Sequence, residues 1–248
     1  MKLLFFITVI VYLYSTLIKI YPNKCNLKSN LKPDIIISPS AYNGFYQLGI
    51  CHYITNNFNY KKKQILGFSS GSWVGLFMCM EKSTQTIFLK NMFKNVGQFC
   101  NIKHLIHTFK TSLEAVGTTQ FDTTNLNVAL SIVGQKKLRI HNDFLNVNDC
   151  IQCCIGSSFV PFLTQNELLC FYKNNSVLDG GIFWEKYTKN INKKKVLIIN
   201  SKLFRTCNSK FWYPFISFKR PKRGLYDLYI LGYKNASKNH TYLSTFFN

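Results

Sequence analysis

The stretch Ile65-Leu66-Gly67-Phe68-Ser69-Ser70-Gly71-Ser72-Trp73 carries the pattern G-x-S-x-G with Ser69 at its centre. A serine hydroxyl is a poor nucleophile unless it is held at a sharp turn beside a base. Glycines two before and two after it remove side chains that would stop a strand from turning straight into a helix. The flanks suit that geometry: Ile65 and Leu66 lead in as a strand, and Trp73-Val74-Gly75-Leu76-Phe77-Met78 leads away as a buried helix. Alone, the pattern equally describes a tight strand-to-helix turn without chemistry, so its meaning rests on the rest of the chain.

Upstream, Asp34-Ile35-Ile36-Ile37-Ser38 reads as a buried first strand, followed by the loop Pro39-Ser40-Ala41-Tyr42-Asn43-Gly44. Leu48, Ile50, Cys51 and Ile54 then suit an amphipathic helix over Phe45 to Asn56. This alternation opens an α/β domain with a largely parallel central sheet. Downstream, Phe88, Leu89, Met92 and Phe93 mark a helical region within Glu81 to Thr124. Strands are expected at Asn127 to Val133, Leu138 to Ile140 and Lys195 to Asn200, with a helix over Asn148 to Ile155. Leu178-Asp179-Gly180-Gly181 ends a short apolar approach. Its aspartate is either free at a strand end or part of an Asp-Gly hairpin turn.

With 47% hydrophobic and 16% aromatic residues in 248, the chain is no disordered polyelectrolyte. Its net charge of +21 favours polyanions, either an anionic membrane surface or nucleic acid. No nucleic-acid-binding motif accompanies the charge, and a bias towards Lys, Asn, Ile, Phe and Tyr accounts for much of it, which argues against nucleic acid. Nine cysteines lack the spacing of a disulfide framework. Cys150, Cys153 and Cys154 have no second ligand pair and read as small buried residues on a helix. His104 and His107 read as surface or packing residues. With no calcium-loop signature either, no metal or cofactor is expected.

Residues 1–22 contain an apolar run, Leu3 to Ile18, which reads as a signal peptide or membrane anchor. No small-residue cleavage site follows, and Lys19, Lys24, Lys28 and Lys32 do. An uncleaved anchor with the domain on the cytosolic side is therefore expected, secretion being the alternative. Residues 206–248 read as a basic, aromatic extension. There Phe211, Trp212, Tyr213, Phe215 and Phe218 precede Lys219, Arg220, Lys222 and Arg223, forming either a membrane-interface contact or a solvated face.

Three separated pieces of the intervening domain, residues 33–205, fit one family. Ser38-Pro39-Ser40-Ala41-Tyr42-Asn43-Gly44 stands where a glycine-rich loop would precede the first helix. Gly67-Phe68-Ser69-Ser70-Gly71 stands as a nucleophile elbow, and Asp179-Gly180-Gly181 as a D-G-G motif. Cys154 to Leu163, with Ser157-Ser158 and Val160-Pro161-Phe162, is similar to the segment before that aspartate. Over roughly residues 33 to 200 the chain resembles the patatin-like phospholipases.

The resemblance implies a three-layer α/β fold and a lipid acyl hydrolase working without a cofactor on membrane lipid. It implies a dyad in which Ser69 attacks an ester carbonyl and Asp179 takes and returns the proton. It also implies an oxyanion loop drawn from Ser40, Ala41, Tyr42, Asn43 and Gly44, with the amide of Ser70. Here Pro39, Ser40 and Ala41 replace the family's three glycines, and Asn43 replaces its basic residue. Losing one oxyanion donor can cost ~10²–10³ in rate, and Pro39 has no N–H. Two alternatives stand beside this reading. One is a catalytically impaired patatin-like protein at a lipid surface; the other is an α/β-hydrolase triad of Ser69, Asp179 and His240.

Overall fold

The computed structural model describes residues 31–95, 101–117, 120–135, 137–189, 191–192, 195–205 and 224–247. The chain folds as an α/β protein around a mixed seven-stranded sheet. Its strands are β1 (Ile35–Ile37), β2 (Ile65–Phe68), β3 (Leu126–Ile132), β4 (Lys137–His141), β5 (Cys170–Tyr172), β6 (Asn175–Leu178) and β7 (Leu197–Ile199). The spatial order is β5-β6-β3-β2-β1-β7, with β4 also paired to β3.

The pairings of β7 with β1, β1 with β2 and β2 with β3 are parallel; those of β3 with β4, β3 with β6 and β5 with β6 are antiparallel. The expected largely parallel sheet is therefore corrected to a mixed one. The β3–β4 and β5–β6 hairpins contribute, because a short turn can only return a strand antiparallel, and β6 joins the second of them to β3. Lys173 and Asn174, both left-handed at φ 43° and 61°, join β5 to β6. The apolar pattern of Cys170-Phe171-Tyr172-Lys173-Asn174-Asn175-Ser176-Val177-Leu178 is too short to announce two strands.

Between the strands lie α1 (Gly44–Asn57), α2 (Ser70–Met78), α3 (Lys82–Asn95), α4 (Ile102–Glu114), α5 (Val147–Ser157) and α6 (Trp184–Lys189). The helices α7 (Leu225–Lys238) and α8 (His240–Ser244) follow β7. Successive side chains of a strand point to opposite faces, so each strand feeds two cores. Ile35, Ile37, Val128, Leu130, Leu197 and Ile199 face the larger core, shared with α1 to α5 and α7. Ile36, Leu66, Phe68 and Ala129 face a smaller one, closed by Phe183 and Tyr187 near α6. Burial on both faces is why these strands read as apolar runs rather than as alternation.

The expectation that α1 is amphipathic is also corrected. Gly44 through Cys51 and Tyr53 through Thr55 are all buried, because α7 covers the face that would otherwise meet water. A Cβ on Gly49 would lie 2.0 Å from the Tyr229 carbonyl oxygen, and one on Gly232 would lie 2.0 Å from that of Tyr46. The two helices thus touch backbone to backbone. Residues 224–247, expected within a C-terminal extension, pack as part of the domain. The aromatic and basic run from Phe211 to Arg223 lies outside the described residues, as does the N-terminal apolar segment. Among the described residues no helix is long and apolar enough to cross a membrane.

Candidate active site

The sheet register brings the elbow and the D-G-G motif together. Val128 to Ile132 pair with β4 along one edge of β3, which leaves β2 and β6 to share the other. β2 runs parallel to β3 and stops with Phe68 opposite Ala129. β6 runs antiparallel and stops with Leu178 opposite Ser131. Their carboxyl ends therefore converge on one short stretch of β3, so the next residue of each, Ser69 and Asp179, must meet. The Ser69 hydroxyl donates to Asp179 Oδ2 at 2.6 Å.

Local structure holds each partner. Ser69 adopts φ 53°, ψ −125°, a strained conformation for a residue with a side chain, which costs on the order of 1–3 kcal/mol. The neighbouring glycines allow it by close approach: a Cβ on Gly67 would fall 2.4 Å from Ser72 Cα, and one on Gly71 2.3 Å from the Ile37 carbonyl oxygen. The Ser69 N–H donates to Ser157 Oγ at 2.9 Å, and that hydroxyl donates on to the Ala129 carbonyl at 2.8 Å. Asp179 is anchored at four points. Its N–H donates to the Phe159 carbonyl, its own carbonyl accepts from Ser131 Oγ, Oδ1 accepts from the Gly181 N–H at 2.6 Å, and Oδ2 accepts from Ser69. Asp179 therefore caps the 3₁₀ turn Gly180–Phe183 and does not form a hairpin.

Burial dominates the electrostatics. Asp179 is 2% exposed, and desolvation raises its carboxyl from the ordinary 3.8 to about 7, while hydrogen bonds from Ser69 and Gly181 pull the other way. A carboxyl held near neutral pH and in contact with a serine hydroxyl has the properties of a general base. His240 lies elsewhere: its Nδ1 bonds the Tyr53 hydroxyl, and its ring stacks on Phe58. The serine-to-carboxylate contact is direct, with no imidazole between them.

Ser69 and Asp179 line a cleft of about 760 Å³, open mouth included. Its walls are apolar, formed by Phe45 and Leu48 of α1, Trp73 and Val74 of α2, Ile102, Leu105, Ile106 and Phe109 of α4, and Val160. Trp73 is fixed there by donating its indole N–H to Ser158 Oγ at 3.0 Å. Among the described residues, Asp179 is the one charged side chain lining the cleft.

The expected oxyanion loop is only partly assembled. Ser40, Ala41, Gly44 and Ser70 line the cleft; Tyr42 and Asn43 do not. Tyr42 is buried in the core, and Asn43 Oδ1 accepts from Arg205 at 3.4 Å. The Ser40 N–H, expected as a donor, instead donates to Ser70 Oγ at 2.9 Å. The N–H groups of Ala41 and Ser70 have no acceptor among the described residues. Ala41 stands at φ 46°, the left-handed conformation a glycine would adopt freely. Ser70 opens α2, where the first N–H groups of a helix have no partner within it and favour negative charge.

Three positioning residues escaped sequence reasoning as individuals. Ser157 was visible only within a longer similar segment, although a polar residue ending the apolar helix α5 is a signal. Ser131 shows as a hydroxyl in a strand that is buried throughout. Gln47, fully buried, donates to Ser38 Oγ at 2.9 Å and to the Ser38 and Ile199 carbonyls, tying the loop after β1 to β7. Cys150, Cys153 and Cys154 are buried on α5, while His104 and His107 are exposed on α4, as their sequence context suggested. No protein-family model matches the chain, and no curated protein matches its sequence.

Proposed function

We propose that the chain is a lipid acyl hydrolase of three-layer, patatin-like architecture that cleaves carboxylic esters through Ser69 and Asp179. The observation that carries this reading is the 2.6 Å bond from a strained, elbow-held serine to a buried carboxyl at one side of an apolar cleft. Ser69 Oγ forms a bond to the ester carbonyl carbon as its proton passes to Asp179 Oδ2. The negative charge that develops on the carbonyl oxygen is met by the N–H groups of Ser70 and Ala41. The bond to the alcohol breaks as Asp179 returns the proton to the leaving oxygen. Water then attacks the acyl carbon as its proton passes to the same carboxylate, and the acyl–Oγ bond breaks as Asp179 returns that proton to Ser69, releasing the carboxylic acid.

The lining supports the substrate class. An apolar cleft lined by aromatic and branched side chains suits an acyl chain, and with no cation lining it among the described residues a charged headgroup has its counter-charges outside. Membrane lipid as substrate, association with anionic membranes, and an N-terminal anchor with the domain on the cytosolic side belong to the same reading. It is supported by the net charge of +21 and by the run from Leu3 to Ile18.

One observation favours a second reading, a catalytically impaired protein at a lipid surface. Of the three residues that stand where the family has glycines, Pro39 has no N–H and that of Ser40 is already engaged, which leaves Ala41. Fluorophosphonate labelling separates the two, because the adduct mimics the tetrahedral intermediate and reports nucleophile and oxyanion hole together. Labelling of the chain that is lost in Ser69→Ala and sharply reduced in Asp179→Asn is expected. A folded protein that does not label would leave only the impaired reading.

A further inference from the structure

The segment between α5 and β5 walls the cleft with one side, through Ser158, Val160 and Thr164. Further along the same stretch, large apolar side chains are turned to solvent. Leu168, Leu169 and Phe171 are 61%, 46% and 67% exposed, and Phe162, at a left-handed turn, is 41% exposed. The Phe162 N–H donates to the Glu167 carbonyl, closing the loop so that Phe162 and Leu168 come together. Leu169 directly precedes β5, whose middle residue is Phe171. Lys103, at the start of the cleft-lining α4, donates to Asn166 of this loop. Three large apolar side chains on a loop that walls the cleft, and a fourth on the strand it leads into, fall within about ten residues and form exposed apolar surface that water disfavours.

We propose that this patch is a membrane-docking surface that inserts among the lipids of an anionic bilayer and presents the cleft to them. The inference rests on the proposed acyl hydrolase only for what enters the cleft. The choice of occupant follows from charge. Lys and Arg number 31 against 10 Asp and Glu, so the protein is drawn to negative surfaces, and a second copy bearing the same charge is repelled. Glu167 is the one carboxylate in the loop, so little opposes approach to acidic headgroups.

The test uses the full chain with Phe171→Trp and vesicles of phosphatidylcholine mixed with phosphatidylserine, some carrying brominated acyl chains. Bromolipid quenching of the added tryptophan, beyond that of the parent protein, is expected and reports insertion of this residue whatever else anchors the chain. In parallel, Leu168→Ser combined with Phe171→Ser should slow hydrolysis of an ester held in vesicles about tenfold or more. The same variant should leave hydrolysis of a soluble short-chain ester unchanged. Quenching in Phe171→Trp no greater than in the parent would overturn the proposal, as would equal quenching in purely zwitterionic vesicles. A concentration-dependent spectral change without vesicles would also overturn it, in favour of self-association. If no form hydrolyses the soluble ester, the hydrolase reading fails while the quenching result still decides the docking surface.

Discussion

Replacing Asp179 by asparagine should leave stability unchanged in acid and raise it at alkaline pH. Burial lifts the Asp179 carboxyl from 3.8 to about 7. Below about pH 4 it is protonated in folded and unfolded chains alike, and the folded state keeps its full stability. As pH rises from there towards 7, the unfolded chain releases its proton while the folded chain retains it, so stability falls; above 7 it levels off. A difference of that size corresponds to about 4 kcal/mol, an upper figure because buried sites relax. Asparagine preserves both contacts, its carbonyl oxygen accepting from Gly181 and its amide donating to Ser69, yet it never ionises. Urea unfolding at a series of pH values should therefore give coincident midpoints near pH 4 and a variant more stable by a few kcal/mol at pH 8, with unchanged m-values. A stability difference independent of pH, or a variant weaker at pH 8, would refute a desolvated carboxyl at this position. Catalysis should run the opposite way. Only ionised Asp179 accepts the serine proton, so the labelling rate of the parent should climb about tenfold per pH unit below 7 and flatten above it.

Other substitutions probe the scaffold. Ser157→Ala strands the Ser69 N–H and the Ala129 carbonyl, so stability in urea unfolding should fall by about 1–3 kcal/mol and fluorophosphonate labelling should slow with it. Ala41→Gly relieves a left-handed residue at φ 46° against the entropy of an added glycine. A net gain of roughly 0.5–1 kcal/mol in urea unfolding is expected, with labelling retained. Gly232→Ala would stabilise an open helix by roughly 0.5–1 kcal/mol, but here its Cβ meets the Tyr46 carbonyl. A lower Tm and faster proteolysis near the C-terminus are therefore expected.

The legible parts of the fold were those written in neighbouring residues. β1, β2, β3 and β7 stand out because a strand buried on both faces must be apolar throughout. The elbow stands out because Gly67, Ser69 and Gly71 satisfy a steric requirement within five residues. The β5–β6 hairpin did not, since its strands are three and four residues long and its turn residues, Lys173 and Asn174, are not the glycines that usually mark left-handed turns. Helix α1 differs in character from its sequence pattern for a related reason: its outer face is covered by α7, which lies far along the chain.

By itself the sequence determined an α/β chain, a serine placed at a strand-to-helix turn, and an aspartate with a glycine behind it that lets the chain turn away. Each is a matter of local backbone sterics and apolar runs. Tertiary structure alone decided that β2 and β6 end against the same edge of β3, which sets Ser69 and Asp179 in contact across 110 residues. It also decided that the carboxyl is dry enough to titrate near neutrality, and that the Ser40 N–H is spent on Ser70 rather than left facing the cleft. Desolvation, pairing register and the partner of a given N–H all depend on groups remote in the chain, which no local pattern records.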